Sequence, residues 1–154
     1  MATELRTFVD TDVLIDIARK NIRALDFWRR AETRSTITCS IISVFELLAG
    51  CQSLREQRTT LRSLATVEIV QIESGDSVQA LQWYRSYHLS RGIGFLDCFI
   101  ATAARRLDCS VHTLNTKHFR AIPGLKVMPR SNSDYRKWPA RRNREPESCR
   151  RCRA

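Results

Sequence analysis

Short apolar runs alternate along this chain with longer stretches of helical periodicity. Leu5 to Val9 reads as a strand, ended by the acidic turn Asp10-Thr11-Asp12. Val13 to Ala18 and Ile22 to Glu32 read as helices, the second with Ile22, Leu25, Trp28 and Arg29 at three- to four-residue spacing. Ser35 to Thr38 suits a second strand, and Ile41 to Cys51 a helix for which Gly50 is an end signal. Leu54 to Ala65 predicts a further helix, with Leu54, Arg58, Leu61 and Ala65 along one face, and Val67 to Ile72 a third strand. A long helix, capped by Ser74 or Asp76, runs to about Ser90. After the loop Arg91-Gly92-Ile93-Gly94 come an Ala-rich helix, Phe95 to Leu107, and a strand, Ser110 to Thr113. A helical turn at Thr116 to Phe119 and a strand at Leu125 to Met128 complete the pattern. Strands alternating with helices predict an α/β sandwich around a mostly parallel sheet of four to five strands. Ligands in such folds bind beyond the carboxyl ends of the strands, where Asp10, Thr113 and Asn115 fall.

Length and composition narrow this to one domain. The 154 residues suffice for one real core, and 43% hydrophobic content describes a globular protein. No run approaches the ~18 apolar residues of a membrane span, and the early charges of Glu4, Arg6 and Asp10 leave no signal-peptide apolar region. A soluble, cytoplasmic protein is expected. Cys39, Cys51, Cys98 and Cys109 lie in or beside apolar segments and read as small buried hydrophobes; Cys149-x-x-Cys152 is half of a zinc site at best.

The charge of +10 changes the picture, because it is uneven. From Arg130 onward nine Lys/Arg stand against Asp134, Glu145 and Glu147, so a domain over 1–130 is followed by a basic, flexible tail over 131–154. A cationic extension of this kind suits weak binding to phosphate backbones.

Against that positive balance, five acids lie in apolar company: Asp10, Asp12, Asp16, Glu46 and Asp97. Ionised acids are costly to bury unless they are paired or bind a cation. Asp10 directly follows the first strand and is read as a metal ligand; Asp12, just before the helix at Val13, is accounted for as its N-cap; Asp16 is read as structural or solvated. Glu46 shares its helical face with Ile42, Ser43, Ala49 and Gly50, a crowd of small or apolar residues that suits a carboxylate reaching into a cleft. Asp97 has Ile100, Ala101 and Ala104 on its face and stands in the first turn of its helix, where the dipole tolerates an acid and a cation would explain it.

Four segments together resemble the motifs of PIN-domain ribonucleases, in particular the VapC toxins of toxin–antitoxin pairs. They are Val9-Asp10-Thr11-Asp12-Val13-Leu14-Ile15-Asp16, Ile42 to Gly50 around Glu46, Ile93 to Ala104 around Asp97, and His112-Thr113-Leu114-Asn115-Thr116-Lys117-His118-Phe119. They occur in order over roughly residues 5–130, and it is this combination that is specific. The resemblance implies an acidic triad of Asp10, Glu46 and Asp97 with Thr113 and Asn115 at the fourth corner. It also implies endonucleolytic cutting of RNA, a homodimer, and a VapB-like antitoxin as partner. Two positions depart from the pattern: Asp12 where Asn is usual, and Asn115 where many relatives carry an acid, which makes a second cation less assured.

Mg²⁺, with Mn²⁺ as a substitute, is the expected cofactor, since it takes one or two carboxylates and fills its remaining positions with water and phosphate. Asp10 and Asp97 are the expected metal ligands and Glu46 the positioner of water, while Arg91, Lys117 and Arg120 flank the motifs as candidate phosphate contacts. Two alternatives remain open. A PIN-like RNA-binding module without cleavage is compatible with Asn115. A haloacid-dehalogenase-type phosphatase shares the Asp10-x-Asp12 pair, but that reading expects Thr or Val where the chain has Leu14, and no later acid pair with a supporting Lys is evident.

Overall fold

The computed structural model describes residues 5–129; the basic tail, Cys149 and Cys152 lie outside them. Five strands are present: β1 (Arg6–Val9), β2 (Thr36–Ser40), β3 (Glu68–Val70), β4 (Val111–Thr113) and β5 (Val127–Pro129). The helices are α1 (Thr11–Ala18), α2 (Ile22–Glu32), α3 (Ile41–Ala49), α4 (Leu54–Ser63), α5 (Ser74–Arg91), α6 (Phe95–Arg106) and α7 (Thr116–Phe119). The strands form one sheet in the order β3-β2-β1-β4-β5, and every pairing is parallel rather than most of them. Each strand returns to the same end through a helical crossover, which forbids the antiparallel pairing of a hairpin.

The period of two in β1 divides the core. Phe8 packs on one face of the sheet with Ile93, Cys98, Ile100, Ala101 and Val111. Val9 packs on the other with Val13, Leu14, Phe27, Ile37 and Cys39. Ala101, Ala103 and Ala104 are all buried on α6, where their small side chains let that helix lie close to its neighbours. Burial pushes the Cys39 thiol up to about 12 and the Cys98 thiol to about 11, so both act as hydrophobes. Arg106, at the end of α6, ties it to the start of α5 through Glu73 (2.6 Å), Asp76 (3.0 Å) and the Gln71 carbonyl (2.9 Å).

Two local expectations are corrected. Helix α1 begins at Thr11, and its N-cap is Asp10, whose carboxylate accepts the Thr11 N–H. Asp12 therefore sits inside the first turn, with its side chain released for other partners. The cap of α5 is Glu73, whose backbone N–H is accepted by Asp76, instead of Ser74 or Asp76. On α4 no residue is buried: Leu54 is 71% and Leu61 48% exposed. A regular apolar stripe gives helical spacing, but burial requires a neighbouring element across it.

Strand order reverses at β1. The chain builds outward through β2 and β3, then crosses back to place β4 on the other side. Open parallel sheets form a crevice at such a reversal, beyond the carboxyl ends of the two strands. Val9 is paired with His112, and the Asp10 N–H continues the ladder to the His112 carbonyl (3.0 Å). Asp10 and Thr113 therefore leave the sheet side by side.

Candidate active site

Asp10 is held where strand becomes helix. Its backbone is extended (φ −79°, ψ 164°), and its Oδ1 accepts the Thr11 N–H at 2.7 Å. Its Oδ2 accepts the hydroxyl of Thr113 at 2.8 Å. Both side chains are buried, Asp10 at 5% exposure. Burial above all, then the charge of Asp12, raises the Asp10 carboxyl to about 7, with the Thr113 hydroxyl and the Thr11 N–H pulling the other way. The charge of Asp97 also reaches it, so the first and third motifs share one electrostatic site.

Asp12 reaches across to β4. Its Oδ2 accepts the Leu114 N–H at 2.8 Å and lies 3.2 Å from the Thr113 hydroxyl. Its Oδ1 is buried with no hydrogen-bond partner among the described residues. Burial raises its pKa as well, against the Leu114 N–H. The residue read as a cap is thus a member of the site.

Glu46 enters from α3. The Thr11 hydroxyl donates to Glu46 Oε2 and lies 2.9 Å from the hydroxyl of buried Ser43. Ser43 stands three residues before Glu46, on the same helical face. Partial burial and the charges of Asp97 and Asp12 raise the Glu46 pKa, with the Thr11 hydroxyl opposing them. Asp97 enters from the first turn of α6, where its Oδ2 accepts the Gly94 N–H (3.3 Å). The same oxygen is 3.1 Å from His118 Nδ1, which is 2.7 Å from the Asn115 side-chain amide. The Asn115 N–H closes the circuit on Thr113 Oγ1 at 2.9 Å.

One hydrogen-bonded path therefore runs from Glu46 through Thr11, Asp10, Thr113, Asn115 and His118 to Asp97. It brings together all five expected residues. It also contains Thr11 and His118, with Asp12 and Ser43 hydrogen-bonded to it, and no site role had been given to these four. Spacing offered a signal for two of them: Ser43 is one turn before Glu46, and His118 one turn after Asn115. For Asp12 the pairing of β1 with β4 was needed, and for Thr11 the packing of α1 against α3.

The donor set suits a hard divalent cation. Four carboxylates crowd one crevice, one carboxylate oxygen is orphaned, and burial, with mutual charge added to it, raises the pKa values of Asp10 and Glu46. Among the described residues no three His, Cys, Asp or Glu side chains are grouped as they would be to hold a metal ion by themselves. Arg91, Lys117 and Arg120 are exposed. Beside Glu46 opens a groove of about 910 Å³ between α1, α2, α3 and α4, lined by Leu14, Trp28 and Leu47 with Arg19, Lys20 and Arg55 at its margin.

Residues 7–125, which contain the whole path, match the family model of the PIN domain. Ribonuclease VapC10 of Mycobacterium tuberculosis is 32% identical over 124 residues, covering 77% of this chain and 89% of that protein. The chain belongs to the PIN-domain family, among its VapC ribonucleases. Solved structures agree with this PIN fold. The VapBC2 complex of Rickettsia felis, bound to a promoter DNA fragment, superposes with a TM-score of 0.69 at 21% identity, over 81% of this chain and 98% of that one. DNA-bound VapBC from Salmonella typhimurium gives 0.68 at 22% identity, over 82% and 99%. Both are likenesses of fold. The four motifs lie within the matched PIN domain, and the basic tail follows it.

Proposed function

We propose that this protein is a divalent-cation-dependent endoribonuclease that acts in the cytoplasm as the toxin of a toxin–antitoxin pair. The observation that supports this best is the continuous path joining Asp10, Glu46, Asp97, Thr113 and Asn115 at the strand-order reversal of a PIN fold. Asp10 and Asp97 would hold Mg²⁺ or Mn²⁺, directly or through water. The bound cation would polarise a phosphoryl oxygen and favour hydroxide for in-line attack on the phosphodiester. Thr113 fixes the Asp10 carboxylate by donating to it, and Asp12 holds the β4–α7 turn through the Leu114 N–H. Glu46, steadied by Thr11, faces the site as the positioner of water. Arg91, Lys117 and Arg120 would meet the phosphates that the carboxylates repel.

The partner assigned here is a VapB-like antitoxin, and the groove beside Glu46 fits a segment that pairs apolar side chains with acids for Arg19, Lys20 and Arg55. The protein would also form a homodimer, for which Val78, Leu81 and Leu89 on α5 leave apolar surface in solvent, Leu89 at 95% exposure. Among the described residues no helix is long and apolar enough to cross a membrane.

The deciding experiment is cleavage mapping on total cellular RNA with wild type, Asp10→Asn and Asp97→Asn. Discrete cuts that need Mg²⁺ or Mn²⁺ and vanish in both folded variants are expected. Full activity in excess EDTA, or in both variants, would defeat the proposal. Tight RNA binding without cleavage under either metal would assign a non-cutting RNA-binding module instead.

A further inference from the structure

Helix α5 carries Tyr84, His88 and Arg91 at positions i, i+4 and i+7, one stripe along its last two turns. The Tyr84 and His88 rings are stacked, with centroids 4.4 Å apart and planes 26° from parallel. His88 is fixed in turn by the Ile93 carbonyl, 2.9 Å from its Nδ1; a carbonyl only accepts, so Nδ1 is the donor. Phe95, the first residue of α6, meets Tyr84 edge to face, with centroids 6.4 Å apart and an interplanar angle of 88°. The three rings form one ordered set, and Phe95 at its end is 57% exposed.

A single exposed apolar side chain is ordinary on a protein surface. Two observations set Phe95 apart. Its ring is already oriented by its neighbours, so fixing it against a ligand costs little entropy. The set also borders the carboxylate crevice. Phe95 follows Gly94, whose N–H is accepted by Asp97, and its backbone lies about 5 Å from that of Asp97 on the same helical turn. A Cβ on Gly92, the residue after Arg91, would stand 4.0 Å from His118 Nε2, and His118 Nδ1 is 3.1 Å from Asp97 Oδ2. The loop from α5 to α6 therefore packs on the crevice, with exposed Arg91 at its start.

Phe95 and Asp97 are two residues apart and point to different sides of α6. A ligand that reaches both has to be extended, with one group at the carboxylates and the next at the ring. A single strand of RNA has this form, and each of its bases offers a flat face that a duplex would cover. An aromatic ring beside an arginine suits such a strand, the ring taking a base and the guanidinium a phosphate. We infer that Phe95, steadied by Tyr84 and His88, is a stacking platform for an unpaired nucleobase next to the scissile phosphate, with Arg91 on the strand's backbone. This rests on the reading of the protein as a ribonuclease and names the form of RNA it takes, single-stranded at the cut.

The test is binding of fluorescein-labelled oligoadenylate to the full-length protein in EDTA, followed by anisotropy and repeated after annealing the probe to oligouridylate. Phe95→Leu should weaken binding of the single strand at least about fivefold and leave the duplex within about twofold. Phe95→Trp, which keeps an aromatic face, should bind the single strand as tightly as wild type or tighter. Arg91→Gln should weaken both forms and lower the salt dependence. Unchanged single-strand affinity in Phe95→Leu, or an equal loss in Phe95→Trp, would overturn the inference, as would wild type that does not bind the single strand. A change of oligomeric state in Phe95→Leu at unchanged RNA affinity would overturn it too and assign the ring to a second copy of the chain. None of these results touches the ribonuclease reading, which cleavage mapping decides. Absence of cuts in that mapping, with binding that still depends on Phe95, would defeat the ribonuclease reading while the platform stands.

Discussion

Asp10 concentrates the tension of this protein in one side chain. Its pKa rises from 3.8 in the unfolded chain to about 7 in the fold, chiefly through burial. The folded state therefore binds more protons than the unfolded one between those values. Stability is complete below about pH 4, is lost as pH climbs through 7, and is flat above. Asparagine caps a helix as well as aspartate and cannot ionise. In EDTA, Asp10→Asn should gain on wild type as pH rises from 4 to 8, by about 2–4 kcal/mol at the upper end. Thermal melts across that range measure it; a gain that shrinks with rising pH would contradict the burial argument. Thr113 makes a second residue-scale prediction, because its hydroxyl serves Asp10 and the Asn115 N–H at once. Thr113→Val should cost about 1–3 kcal/mol, seen as a lower urea midpoint at unchanged slope, and should strongly reduce cleavage.

At the scale of elements, all five strands and seven helices of the described residues were legible in the alternation of apolar and polar positions. The errors fell on caps. Asp10 and Asp12 are both competent caps, and local chemistry does not choose between them; the ladder from Asp10 to His112 does, by extending β1 far enough that the helix begins at Thr11. On α4 the residues Leu54 and Leu61 of the predicted stripe are exposed. Packing of α6 supplies an element-scale prediction. Ala104 is fully buried, so Ala104→Leu should overpack the contact and cost about 1–3 kcal/mol. Arg106→Gln should cost about 2 kcal/mol by leaving the buried Asp76 carboxylate without its guanidinium. Denaturant unfolding of each variant checks both values.

At the scale of the whole molecule, a chain of net charge +10 carries four carboxylates in one crevice, and the proposed reading assigns the basic residues to a polyanion and the crevice to a cation. The eight basic residues of the tail over 131–154 should strengthen RNA binding without choosing the cut. A chain ending at residue 130 should keep the wild-type cleavage pattern, bind RNA more weakly at low salt, and lose that deficit near 0.5 M salt (roughly, since screening then falls below about 5 Å). Filter binding across a salt series measures it, and an altered cleavage pattern would show that the tail contributes to selection.

The division between sequence and fold follows from the range of the forces involved. Element order, the parallel α/β class and the candidacy of Asp10, Glu46 and Asp97 come from local periodicity and from acids placed in apolar surroundings, which any stretch of chain displays alone. The roles of Asp12, Thr11, Ser43 and His118 come from contacts between residues 21 to 102 positions apart. Only the tertiary packing of α1 against α3, of β4 against β1 and of α7 against α6 brings those residues within hydrogen-bond reach. Charge on charge and donor on acceptor act over a few ångströms, so which acids share a site was decided by the tertiary structure.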